Sequence, residues 1–464
     1  MSNNDRIAAV VLAAGKGTRF RSELAKVLHR AAGRSLVGHV LEAVRPLELG
    51  QVIVVVGHQA DDVSAAVEAS GVANLVTVLQ EEQLGTGHAV QVAMPALADD
   101  IEQVMILPGD TPLLTASTLE ELLHAATENA AAMLTAHAAD PDGYGRVLRD
   151  EEGNVLRVVE HRDATPEERA IDEFNAGMYV IAREHLVHGL DRLDTGNDQG
   201  ELYLTDVVEV LSGEGEPVAA VVTTEDEVAG VNDRRQLADA AAVLRRRHLD
   251  RLMIEVGVSV VDPASTYVDV DVEVGRDAVL LPGTLLDGGT RVGERAVVGP
   301  NSHLTRCEVA ADATVHSTRA TEAVIGEHAS VGPFTHLRPG TVLGVKSKAG
   351  AFVETKNATF ADGAKAGHLA YVGDATIGER VNVGCGVVLV NYDGADKHHT
   401  VVEDDAFVGS GTMLVSPVRI GTGAYVAAGS TITDDVPADA LAIGRARQVN
   451  KDGWAAKRRE EQGT

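Results

Sequence analysis

Short apolar runs and apolar helical stripes alternate through the first half of the chain. Ile7–Leu12 is a run of strand length, closed by the glycine-rich Ala13-Ala14-Gly15-Lys16-Gly17-Thr18. Further strands are predicted at Val52–Val56, Leu75–Val78, Val104–Leu107 and Met133–Ala136, with helices at Leu36–Val44, Asp61–Ala69 and Ser117–Glu128 between them. Such alternation predicts an α/β domain whose mostly parallel sheet is covered on both faces and whose ligands bind beyond the carboxyl ends of the strands. The informative loops are then Gly15–Lys26, after the first strand, and Pro108-Gly109-Asp110, after the fourth.

The second half keeps a different time. Val268, Val274, Leu280, Leu286, Val292, Val298 and Leu304 follow one another at intervals of six, and the beat returns at Ile325–Leu343, Ile377–Leu389 and Val402–Ile432. Glycines such as Gly275, Gly293, Gly326 and Gly409 stand one place after a beat residue. No helix has this period; short flat strands joined by tight corners and stacked into a solenoid do. Three hexapeptides per coil would make about ten coils. One interruption is plain: Leu389 and Val402 are thirteen apart, and the extra material is Asn391-Tyr392-Asp393-Gly394-Ala395-Asp396-Lys397-His398-His399. A solenoid puts function on such external loops. Between the halves, Leu237, Ala241, Leu244, His248 and Leu252 make a helical stripe. The predicted domains are therefore residues 1–232, a linker with a connecting helix over 233–262, the solenoid over 263–442 from Pro263, and a polar tail over 443–464.

Composition removes several classes. Among 464 residues, 40 Lys and Arg face 69 Asp and Glu, a net charge of −29, which opposes both a nucleic-acid groove and an anionic membrane surface. Cys307 and Cys385 are the only cysteines, too few for a disulfide framework or a paired-cysteine zinc site. Met1–Arg6 lacks a signal peptide's basic start and apolar core, and no segment nears ~18 unbroken apolar residues, so a cytoplasmic protein is expected.

The candidate chemistry of the front half concerns phosphates. Small residues in Leu12-Ala13-Ala14-Gly15-Lys16-Gly17-Thr18-Arg19 would let backbone N–H groups approach phosphate oxygens, and Arg19 and Lys26 would neutralise them. No Gly-Lys-Ser/Thr ending opens a helix, so this is not a P-loop. Taken alone, Asp110 before Thr111-Pro112 reads as a turn or capping residue and Asn232 as a helix cap.

The longer string resembles the signature of sugar-1-phosphate nucleotidyltransferases, a Rossmann-like α/β fold, and Gln80-Glu81-Glu82-Gln83-Leu84-Gly85-Thr86-Gly87-His88-Ala89 matches a second block of that family. The resemblance implies nucleotide contacts from Leu12, Ala13, Ala14, Gly15, Lys26, Gln80, Gly85 and Thr86, and catalytic roles for Arg19 and Lys26. It implies sugar contacts from Gly145, Glu160 and Asn175, and Mg2+ on Asp110 and Asn232. Pro108 departs from the pattern, since relatives carry Tyr there.

Hexapeptide solenoids resemble the left-handed parallel β-helix acyltransferases, and here the strings Thr335–Gly340, Val353–Asn357, Lys365–Asp374, Val381–Gly384 and Asn391–Gly394 match. With the front half they resemble, over essentially the whole chain, the bifunctional N-acetylglucosamine-1-phosphate uridylyltransferase/glucosamine-1-phosphate acetyltransferase family. That implies His368 as the base for direct acetyl transfer from acetyl-CoA to glucosamine-1-phosphate. It implies Arg338, Lys356 and Lys397 on the substrate phosphate, Tyr371 and Asn382 on the sugar, Asn391 and Tyr392 as positioning groups, and Ser410, Ala428 and Arg445 on coenzyme A. It further implies uridylyl transfer from UTP to N-acetylglucosamine-1-phosphate, a role in envelope precursors such as peptidoglycan, and a homotrimer. Read bare, His368 is a surface histidine, His398 and His399 face solvent, and Cys385 lacks the adjacent histidine of a covalent catalyst. Rival readings are a nucleotidyltransferase whose solenoid only regulates or oligomerises, and a non-enzymatic scaffold.

Overall fold

A computed structural model describes residues 3–463. The chain divides into two compact units, Met1–Arg245 and Arg246–Thr464, the division falling inside the helix Arg234–Arg251.

In the first unit the five predicted strands form, as Ile7–Ala13, Gln51–Val56, Leu75–Leu79, Gln103–Pro108 and Ala131–His137. The helices Leu36–Val44, Ala60–Glu68 and Ala116–Ala125 lie where the stripes put them. The strand order across the sheet is Val218–Thr223, Ala131–His137, Glu173–Ala182, Gln103–Pro108, Ile7–Ala13, Gln51–Val56, Leu75–Leu79, with Glu173–Ala182 antiparallel to both neighbours. Ile7–Ala13 pairs in parallel with Gln51–Val56 on one side and Gln103–Pro108 on the other, so successive connections diverge from it and open a crevice at its carboxyl end. Its side chains alternate between two cores: Ala9, Val11 and Ala13 pack with Val37, Val40 and Leu119, while Ala8 and Val10 pack with Val90, Leu186 and Val207. Burial on both faces is why this strand reads as an unbroken apolar run. A hairpin, Arg146–Arg149 with Val155–Val159, is added beside Glu173–Ala182.

The second unit is a parallel β-helix. Each short strand pairs in parallel with the one three further along, as Glu273–Val274 with Arg291–Val292 and that with Glu308–Val309. The beat residues Val274, Leu280, Leu286, Val292, Val298 and Leu304 are buried along the axis. The glycine after the beat follows from close approach: a Cβ on Gly275 would stand 2.6 Å from the Glu294 backbone nitrogen of the next coil. Corners are left-handed turns, and at one of them Thr290 Oγ1 donates to the Asp287 carbonyl at 2.7 Å, beside the Arg306 N–H of the next coil at 3.2 Å.

Three features differ from the sequence-based expectation. The first solenoid strand is Ser259–Val260, before Pro263. The tail carries a helix, Trp454–Gln462. From Leu343 to Ile377 the beat lapses because Ala349, Thr355 and Ala366 fill the axis, and two long bent strands, Lys348–Phe360 and Lys365–Ile377, run side by side.

Candidate active sites

At the carboxyl end of Ile7–Ala13 lies a cavity of about 500 Å3, lined by Leu12, Ala13, Ala14, Gly15, Lys26, Gln80, Gly85, Thr86, Pro108, Asp110, Glu160 and Asn175. The glycines have separate reasons. A Cβ on Gly15 would meet nothing within 4 Å, leaving its backbone open to a ligand. Gly85 has φ +107° and faces the Leu202 carbonyl, 2.5 Å from where a Cβ would stand, so no side chain fits there. The glycine-rich loop is anchored by Phe20, which is buried and stacks on His29 with ring centroids 4.5 Å apart; burial pushes that imidazole below its ordinary value.

Lys26 Nζ contacts Asp110 Oδ2 and lies 3.3 Å from Asn232 Oδ1, and Arg19 Nη2 donates to the same Asn232 oxygen at 2.9 Å. Neither candidate ligand caps a helix, though Asp110 does lie in a turn. Asp233, not Asn232, caps the helix that follows, accepting from the backbone N–H groups of Arg235 and Gln236 at 2.9 Å. Thr115 caps Ala116–Ala125, leaving the Asp110 carboxylate aimed at Lys26. An anionic and a neutral hard oxygen thus meet at one positive charge, a donor pair suited to a magnesium ion that takes its remaining ligands from phosphates and water.

Gly145, Glu160 and Asn175 come together through the added hairpin. Asn175 N–H donates to the Gly145 carbonyl at 2.9 Å, and a Cβ on Gly145 would stand 3.6 Å from the Glu160 carboxyl carbon. Burial, helped by Asp206 and Asp163 and opposed by a hydrogen bond from Thr205, pushes the Glu160 carboxyl above its ordinary value. Asn175 sits at a break in strand register, its Nδ2 donating to the Tyr179 hydroxyl at 2.7 Å. Gln83, Tyr179, Glu201 and Thr205 also wall the cavity and were not singled out from sequence; Gln83 stood inside the second matching block. A larger recess of about 880 Å3 opens at the amino end of the same strands, but its arginines are engaged: Arg6 with Glu102, and Arg183 with the Ala98 carbonyl.

On the solenoid, successive coils stack the candidate residues in columns. Ala351 pairs with His368, Leu369 accepts from Gly386 N–H at 2.7 Å, Cys385 accepts from Gly411 N–H at 2.7 Å, and Ser410 accepts from Gly429 N–H at 2.8 Å. Arg445 Cδ lies 3.9 Å from where a Cβ on Gly429 would be. His368, Ser410, Ala428 and Arg445 therefore stand along one corner, with the exposed thiol of Cys385 between the first two. His368 is exposed.

A second column holds the cations. Arg338 N–H donates to the Thr355 carbonyl, and Lys356 pairs with Gly373, setting Arg338, Lys356 and Gly373 on consecutive coils. Lys397 beside it, with Arg338, pulls the Lys356 ammonium below its ordinary value, the mark of positive charges gathered without enough counter-charge. The Tyr371 hydroxyl lies over Gly373, 2.5 Å from where a Cβ would stand. Asp374, which sequence reasoning did not single out, accepts from Asn357 Nδ2 at 2.8 Å and from Asn391 Nδ2 at 2.5 Å. It thereby ties the root of the 391–399 loop to the coil below. In that loop Tyr392 bridges to Lys397, its hydroxyl donating to the Gly394 carbonyl at 2.7 Å. His398 pairs with Asp393 and His399 with Thr376, so both have structural partners. Asn382 is not brought to this group: its rung, Lys365–Asn382–Phe407, is a different face from Glu354–Tyr371–Val388.

These arrangements define a nucleotidyltransferase-type domain joined to a hexapeptide-repeat transferase. The MobA-like NTP transferase domain family matches residues 9–252, and the bacterial transferase hexapeptide family matches residues 399–434. Over nearly its full length the chain is similar to proteins called bifunctional protein GlmU. It is 51% identical to that of an Exiguobacterium species (97% of this chain, 99% of the relative), 49% to that of Trichlorobacter lovleyi (98% and 99%) and 50% to that of Streptomyces avermitilis (97% and 94%). The chain belongs to the GlmU family of bifunctional uridylyl- and acetyltransferases.

Proposed function

We propose that the chain makes UDP-N-acetylglucosamine by two transfers at separate sites, and that the residues assembled above carry them. On the solenoid the amine of glucosamine-1-phosphate attacks the thioester carbonyl of acetyl-CoA. An N–C bond forms, the C–S bond breaks, and His368 accepts the amine proton as the coenzyme A thiol departs. Arg338, Lys356 and Lys397 hold the sugar phosphate, Tyr371 and Asn382 the sugar, Asn391 and Tyr392 the reacting groups, and Ser410, Ala428 and Arg445 the coenzyme. What supports this half is the single column from His368 to Arg445, which would set a base beside an extended coenzyme.

In the first unit a phosphate oxygen of N-acetylglucosamine-1-phosphate attacks the α-phosphorus of UTP, and the bond to the departing pyrophosphate breaks. Arg19 and Lys26 neutralise the phosphates; Gln80, Gly85 and Thr86 hold the uracil; Gly145, Glu160 and Asn175 hold the sugar. Asp110 and Asn232 would hold Mg2+, which when bound withdraws charge from the triphosphate.

Asn382, on a face apart from Tyr371, is a reason to expect a second copy to complete the acetyl site, and a homotrimer closes such contacts without forming a fibre. Among the described residues no helix is long and apolar enough to cross a membrane, and UTP and acetyl-CoA are cytoplasmic reactants, which together favour work in the cytoplasm on envelope precursors. Mixing the purified chain with glucosamine-1-phosphate, acetyl-CoA, UTP and magnesium, with free thiol and pyrophosphate followed separately, should show both products; pyrophosphate without thiol would leave only a nucleotidyltransferase. Light scattering should report three chains, and a monomer active in acetyl transfer would refute the shared site.

A further inference from the structure

We propose that Lys26 and Arg19 form a placeholder that keeps divalent metal off Asp110 and Asn232 until the nucleotide triphosphate arrives. This rests on the reading of Asp110 and Asn232 as metal ligands. Both oxygens are already occupied by protein cations: Lys26 Nζ contacts Asp110 Oδ2 and reaches Asn232 Oδ1 at 3.3 Å, and Arg19 Nη2 donates to that oxygen at 2.9 Å. The Lys26 and Asp110 side chains are only 15% and 16% exposed, so the pair is shielded from the solvent screening that weakens surface ion pairs. Asn232 is kept in place independently, its backbone N–H donating to Gln236 Oε1 at 2.7 Å and its Nδ2 turned to the Gly230 carbonyl. Its oxygen therefore stays directed at the two cations.

A divalent ion entering alone must evict Lys26 from Asp110 and leave the ammonium without a counter-charge. A triphosphate changes the balance, because its oxygens offer Lys26 and Arg19 new anionic partners as they release Asp110 and Asn232. The same two side chains then oppose metal in the free enzyme and support it in the nucleotide complex. Metal and triphosphate bind as a unit, and pyrophosphate departure returns Lys26 to Asp110.

The test is Mn2+ binding to the full-length protein, read from the free-ion electron paramagnetic resonance signal with and without UTP. Lys26→Met should bind Mn2+ without UTP on the order of 10- to 100-fold more tightly than wild type, and should bind it more weakly than wild type when UTP is present. Lys26→Arg, which keeps the charge, should stay near wild type without UTP, and Arg19→Met should show a smaller change in the same two directions. Equal nucleotide-free affinities in wild type, Lys26→Met and Arg19→Met would overturn the placeholder. Asp110→Asn separates that failure from failure of the metal reading: undiminished Mn2+ binding with UTP in this variant would mean that Asp110 is not a ligand, and the proposal would fall with it.

Discussion

Replacing Asp374 by Asn should cripple acetyl transfer while leaving uridylyl transfer intact. The carboxylate is only 9% exposed and takes two amide donors, Asn357 Nδ2 and Asn391 Nδ2. Burial pushes this carboxyl up, but those two amides, with Lys397 and Lys356, outweigh it and hold it below its ordinary value. An Asn side chain has one oxygen where two donors converge, so one amide must face another. Losing one hydrogen bond to a charged, buried acceptor costs about 2–3 kcal/mol, which shifts the closed-to-open balance of the 391–399 loop roughly 30- to 150-fold. Because that loop carries Asn391, Tyr392 and Lys397, thiol release should fall by a similar factor, while pyrophosphate release from UTP and supplied N-acetylglucosamine-1-phosphate stays at the wild-type rate. The pH dependence has a definite sign. A depressed folded-state carboxyl stabilises above its unfolded value and stops doing so only as pH falls through the depressed one, so the wild-type loop should stay closed at mildly acid pH. A well-folded Asp374→Asn chain that releases thiol at the wild-type rate would refute this role.

Two further perturbations test the fold beneath the sites. Burial holds His39 at about 4 in the folded protein, with its Nε2 against the Ala31 carbonyl at 2.8 Å. Its contribution is therefore full above the ordinary value of 6.5 and is lost as pH falls toward 4, about 2 kcal/mol at about pH 5. Urea unfolding at neutral and mildly acid pH should show that slope, and His39→Gln should lack it; identical slopes would remove His39 as the cause. Gly275→Ala should destabilise the solenoid by about 1–3 kcal/mol, because the added methyl meets the backbone of the next coil, and a thermal midpoint unchanged from wild type would contradict that packing.

Much of this was legible in the chain itself. The sheet strands and the solenoid axis show because large aliphatic residues occupy them at fixed periods. The signal fails from Leu343 to Ile377, where Ala349, Thr355 and Ala366 serve the same axial positions with side chains too small or polar to mark a beat. The helix Trp454–Gln462 has no apolar stripe, and only the run of good helix formers in Ala-Ala-Lys-Arg-Arg-Glu-Glu-Gln could have announced it. Asp110 and Asn232 are ambiguous in sequence because each also fits a cap; in the structure Thr115 and Asp233 cap the helices instead. Asp374 was hidden for a different reason: its value lies in partners 17 residues away on either side, a relation set by coil length.

The central claim is that two chemistries reside in two separate sites of one chain, and paired substitutions test it most directly. Asp110→Asn and His368→Ala are each assayed for thiol release from acetyl-CoA with glucosamine-1-phosphate, and for pyrophosphate release from UTP with N-acetylglucosamine-1-phosphate. Asp110→Asn should abolish pyrophosphate release and leave thiol release near wild type. His368→Ala should cut thiol release by on the order of 10²–10⁴-fold and leave pyrophosphate release near wild type. Two folded variants that each lose both activities, or a His368→Ala chain that acetylates at the wild-type rate, would contradict it.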